Sequence, residues 1–119
     1  MKARTRMQRA EQMARWLSVL FPTRYPVNIY WRDKIVDVDG EELGGYCQLG
    51  DDDKSYNIYL SFREIRRVVD VADVMMHEWA HLLRGLQYEQ DDPAYWGEYY
   101  GPIYWAFHYR GGADEVDQY

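Results

Sequence analysis

His77 and His81 stand four residues apart with Glu78 between them, in the string His77-Glu78-Trp79-Ala80-His81. A helix turns once in about 3.6 residues, so side chains four apart lie one above the other and two imidazoles can grip a single ion. That arrangement suits zinc, which accepts imidazole nitrogen in a tetrahedral site and keeps one position open where it does chemistry. Glu78 follows His77 by about 100° of helix rotation, beside that open position, where it can take a proton from a water on the ion. Residue types and spacing therefore point to metal-assisted hydrolysis. The competing reading makes both imidazoles neutral core residues bonded to backbone carbonyls.

The pattern arises by accident on the order of once in several hundred chains of this size, so its surroundings decide. Val68, Val69, Val71, Ala72, Val74, Met75 and Met76 precede it, and Trp79, Ala80, Leu82 and Leu83 interleave or follow it. This reads as a helix apolar nearly all round, and hence buried. Polar groups in such a helix need partners, because each one left unpaired costs about 1–3 kcal/mol. A metal ion and its water would supply them.

The elements that must position this helix follow from periodicity. Met7, Ala10, Met13, Ala14, Leu17 and Leu20 recur at three- and four-residue intervals, predicting an amphipathic helix over residues 5–20 that Pro22 ends. Pro26 keeps Tyr25 extended, and Val27, Ile29 and Trp31 alternate with Asn28, Tyr30 and Arg32 as in a half-buried strand. Asp37, Asp39 and Gly40 predict a turn before a second strand over residues 43–49, where Gly44 and Gly45 permit a bulge. The acidic stretch from Gly50 to Lys54 lacks the ligand spacing of a calcium loop and reads as a turn. A third strand over residues 55–62 puts Ile58, Leu60 and Phe62 on one face and Tyr59 on the other. Ser61 and Glu64 form a capping-box pattern, from which the helix would run through the motif to Arg84 and stop at Gly85. Asp92 and Pro93 then open a last helix, kinked near Gly101 and Pro102, with a frayed tail from Gly111.

The fold class expected is α+β, in one domain over residues 1–119: an N-terminal helix, a small three-stranded antiparallel or mixed sheet, the long motif helix and a kinked C-terminal helix. With 12 Tyr and 5 Trp, aromatics can fill the core of so short a chain. Cys47 is the single cysteine, which excludes an internal disulfide framework and a cysteine-rich zinc knuckle and fits a reducing cytosol. Lys2, Arg4, Arg6, Arg9, Arg15 and Arg24 face only Glu11 in the first 24 residues, so the rest of the chain carries −11 of the net −6. An acidic body argues against a nucleic-acid surface, and the basic arm reads as a solvated helix face. Nothing approaches the ~20 apolar residues of a membrane span, and Gln8, Glu11, Gln12 and Arg15 interrupt any signal-peptide core.

Catalytic zinc usually takes three protein ligands, so a third must come from beyond the motif; Asp91, Asp92, Glu98 and His108 are the candidates. The string His-Glu-x-x-His is the zincin signature. Its metzincin extension is absent, since Arg84, Leu86 and Gln87 occupy that region. The chain resembles the small SprT-like and related phage-encoded zinc metallopeptidases, in which the third ligand opens the helix after the motif. Trp96, Tyr100, Gly101, Ile103 and Tyr104 match that family's following segment. Counting back four residues from Trp96 places Asp92 where the family carries histidine; aspartate remains an acceptable zinc ligand. Glu98 is the alternative, because thermolysin-like zincins take a glutamate from the middle of the next helix. The resemblance covers roughly residues 70–107 by motif and the earlier elements by order alone.

The resemblance implies a zinc-dependent peptidase, with His77, His81 and Asp92 (or Glu98) on Zn2+ and Glu78 as general base. It implies a peptide or protein substrate laid along a strand edge, and a cytoplasmic setting, the host's cytoplasm if the chain is phage-encoded. Tyr100 and Tyr104 both remain open as oxyanion donors. Two alternatives stand beside it: a catalytically silent, metal-stabilised binding or regulatory protein, and a peptidase dedicated to one repressor or toxin partner.

Overall fold

The computed structural model describes residues 3–84. Within them the chain is α+β, two helices and a small mixed sheet, in the order α1 (Ala3–Leu20), β1 (Val27–Arg32), β2 (Ile35–Val36), β3 (Glu42–Leu43), β4 (Gly45–Leu49), β5 (Tyr56–Ser61) and α2 (Val68–Arg84). The expected stop at Gly85, the last helix opening at Asp92 and its kink near Gly101 lie outside the described residues.

The three-stranded sheet has the order β1-β5-β4, with β5 in the centre. Strand β1 runs parallel to β5, with Ile29 opposite Ile58 and Trp31 opposite Leu60, while β4 runs antiparallel to it. A tight turn joins β4 to β5: Gly50 N–H donates to the Ser55 carbonyl (2.8 Å), and the Asp52 carboxylate accepts from Lys54 N–H and the Ser55 hydroxyl (both 2.9 Å). Asp52 thus closes the turn as an Asx motif. Strands β2 and β3 form a separate short hairpin, in which the Asp37 carboxylate accepts from Asp39 and Glu41 N–H.

Both helices contribute to one core against the sheet. Ala10, Met13, Ala14 and Leu17 of α1 meet Ile58 and Leu60 of β5, Ile65, and Val71, Ala72, Met75, Met76, Trp79, Ala80 and Leu82 of α2. Met7 and Leu20, expected on the same stripe, are 45% and 49% exposed, so the buried face of α1 is narrower than the pattern suggested. On the sheet, Tyr30, Tyr59 and Tyr46 stack across the three strands, with centroids 5.4 and 4.6 Å apart. The basic arm is not simply solvated. Arg9 is buried, and Arg6 donates to the Phe62 and Ile65 carbonyls (2.8 and 2.9 Å), fastening α1 to the segment that leads into α2.

Three expectations need correction. Glu64 N–H does reach the Ser61 hydroxyl (3.3 Å), but this closes only a turn that buries Ile65, and the helix begins at Val68. Its cap lies later: the Asp70 carboxylate accepts from Arg67 N–H (3.0 Å) and pairs with the Arg67 guanidinium (3.1 Å). Strand β5 ends at Ser61, so Phe62 leaves the pleat and stacks on Trp31 at 4.6 Å. Lastly, α2 is not buried all round. Asp73 is exposed and Val74, His77 and His81 are half-buried, forming an open strip along an otherwise enclosed helix.

Candidate metal and catalytic site

Helix α2 is held in place from behind. Trp79, within the motif, is fully buried, and its indole N–H donates to the Phe21 carbonyl just past α1 (2.9 Å). With that side clamped, the Asp73–Glu78 part of the helix borders a cleft of about 490 Å³, lined by Asp73, Val74, His77 and Glu78 from α2 and by Leu43, Gly44 and Gly45 from the β3–β4 junction. The glycines make the approach possible. A Cβ on Gly45 would lie 2.8 Å from both the Tyr59 carbonyl oxygen and Val74 Cγ1, and one on Gly44 would lie 3.2 Å from Val74 Cγ2. Gly44 separates β3 from β4, and its carbonyl accepts from Ser61 N–H (2.9 Å).

The two imidazoles share one side of α2, with ring centroids 5.0 Å apart and planes at 67°. Burial, and then the neighbouring His81, push His77 down to about 4. At neutral pH His77 is therefore uncharged with a ring nitrogen lone pair, the form that ligates a metal. Glu78 is only 5% exposed, and burial raises its carboxyl to about 7, partly offset by a hydrogen bond from the Cys47 thiol. A carboxyl poised near neutrality can both accept and return a proton. The chemistry of this donor set fits a divalent ion: two histidines one helical turn apart, the first of them lining the cleft beside an acid held out of water.

Cys47, 31 residues before Glu78 in sequence, sits beside it in space. Its Sγ lies 3.9 Å from the Glu78 carbonyl oxygen, and burial followed by the Glu78 charge drives the thiol far above its usual range. It is a neutral thiol and not a thiolate ligand. The sequence pattern reveals neither the place of Cys47 beside Glu78 nor the cleft wall of Leu43, Gly44 and Gly45; the glycine pair, which predicts a bulge, is the available signal for that wall. Asp91, Asp92, Glu98 and His108 lie outside the described residues. Among the described residues, no group of three His, Cys, Asp or Glu side chains could hold a metal ion.

Comparison with known proteins finds no matching family model, no matching curated protein and no matching solved structure. Among the described residues, no helix is long and apolar enough to cross a membrane.

Proposed function

We propose that the chain is a zinc-dependent metallopeptidase of the zincin type, similar to the SprT-like and phage-encoded peptidases. The observation that carries this reading is the cleft that His77 and the buried Glu78 carboxyl line together, with the His81 ring one helical turn on, 5.0 Å from that of His77. His77 and His81 would hold Zn2+ with Asp92, or Glu98 in its place, as third ligand. Zinc, when bound, would polarise the scissile carbonyl and make water nucleophilic at neutral pH.

The chain's own residues do the rest. Glu78 accepts the proton of the attacking water and delivers it to the leaving amine, a cycle suited to a carboxyl whose two protonation states are both accessible at pH 7. The Cys47 thiol bond favours the ionised form of Glu78, the form that acts as base. Strand β4 is an outer strand of its sheet, with no further strand on its far side among the described residues. That edge can add an extended peptide through backbone hydrogen bonds, with the substrate lying along the cleft. A peptide or protein substrate in the cytoplasm, the host's in the phage-encoded case, completes the proposal.

The test is cleavage of a fluorogenic unfolded protein by zinc-supplemented chain and by its Glu78→Gln variant. Loss of the base should slow cleavage by about 10²–10⁴-fold while metal remains bound. Equal rates would refute the role of Glu78, and an intact substrate with the unmodified chain would refute the activity.

A further inference from the structure

Among the described residues, three exposed apolar side chains gather on the β2–β3 hairpin and the strand beside it: Val36, Val38 and Tyr46. Val38 stands in the turn of the hairpin, fully exposed. Such positions ordinarily take glycine, proline or a small polar residue, and the Asp37 carboxylate already closes this turn, so the hairpin itself does not account for a valine there. With Ile35 and Leu43 these side chains line a slot of about 510 Å³, roomy enough for the largest apolar side chain. Ile35 is its most buried wall and lies outside the main core. Leu43 also lines the cleft that holds His77 and Glu78, so the two hollows share a wall.

Strand β4 divides its side chains between the two hollows. Gly45 and Cys47 face α2, against Val74 and Glu78, while Tyr46 and Gln48 face the other way, where Tyr46 stacks on Tyr59 and Gln48 donates to the Tyr59 hydroxyl (3.2 Å). An extended peptide added to the outer edge of β4 alternates in the same manner. Where one of its side chains enters the cleft, the next stands beside Tyr46, at the mouth of the slot. Resting on the peptidase reading, we propose that this slot is a substrate subsite for a large apolar side chain such as leucine or phenylalanine. The substrate class is then an extended segment with such a residue a fixed, odd number of positions from the residue in the cleft.

Binding tests this without turnover. End-blocked, fluorescein-labelled dodecapeptides of one polar sequence, with a single central leucine, phenylalanine, serine or lysine, are titrated by anisotropy into the full chain carrying Glu78→Gln. The leucine and phenylalanine peptides should bind about tenfold more tightly than the serine and lysine peptides, the scale of an apolar side chain entering a slot that stays partly open. Adding Val36→Glu and Val38→Glu together should erase that preference; both side chains are exposed, so this variant should fold. Val19→Glu, which changes an exposed valine on α1, should leave it intact. In the unmodified zinc-supplemented chain, moving the leucine by one residue should move the cut by one residue. Equal binding of the four peptides, a preference that survives the paired glutamates, no binding by any peptide, or a cut that ignores the leucine would overturn the inference. The peptidase reading falls separately, if the unmodified zinc-supplemented chain binds the leucine peptide with this preference and leaves it uncut.

Discussion

Replacing Glu78 by glutamine should stabilise the metal-free protein increasingly as pH rises above about 4.5, with the full effect reached above about 7. The carboxyl titrates near 4.5 when unperturbed and near 7 in the folded chain, because burial disfavours its charged form. The native state therefore holds the proton more tightly than the unfolded one. Its stabilising effect is complete below pH 4.5, fades as pH rises toward 7, and is gone above. At about 1.4 kcal/mol for each tenfold difference in proton affinity, the ionised side chain costs the apo fold about 3 kcal/mol at pH 8. Glutamine keeps the shape and never ionises. Urea unfolding in the presence of a chelator, followed by the fluorescence of buried Trp79, should give coincident midpoints for the two proteins at pH 4.5 and a higher midpoint for Glu78→Gln at pH 8. Restoring zinc should close the gap, since a cation beside the carboxylate favours its ionised form. Curves that stay parallel from pH 4.5 to 8 would refute the claim that Glu78 is held out of water.

Other consequences concern the frame around the site. Asp70 is held below the usual carboxylate range by its bond to Arg67, so its contribution is present above pH 4 and lost as pH falls through the folded value. Asp70→Asn should cost about 0.5–1 kcal/mol at pH 7 in urea unfolding and progressively less as pH falls below 4. Gly45→Ala should destabilise by about 1–3 kcal/mol in thermal unfolding, because its methyl group meets the Tyr59 carbonyl and Val74 at 2.8 Å. Trp79→Phe removes the indole bond to the Phe21 carbonyl and should cost about 1–3 kcal/mol, read as a lower urea midpoint.

Local pattern carried much of this architecture. The three- and four-residue spacing of Ala10, Met13, Ala14 and Leu17 marked α1, and the alternation of Val27, Ile29 and Trp31 marked β1, because side-chain periodicity is a property of the chain itself. The meeting of the His77 and His81 rings on one side of α2 follows from the same arithmetic. Long-range pairing left no such trace. Parallel alignment of β1 with β5 joins residues about 30 apart and required only that both strands be apolar on the core side. The helix start moved because two overlapping caps competed: Ser61 with Glu64 was the better sequence pattern, but burying Ile65 used that turn, and Asp70 capped the helix after it. Cys47 beside Glu78 was invisible for the first reason, since nothing in a single cysteine announces which distant residue it will face.

Elemental analysis of protein purified without added metal most directly tests the claim that His77 and His81 jointly hold an ion. The expected result is about one zinc per chain, lost in His77→Ala, His81→Ala and Asp92→Ala and retained in Glu98→Ala, with the last two exchanged if Glu98 is the ligand. Metal-free wild-type protein that stays so after zinc is supplied, or histidine variants that keep their zinc, would contradict it.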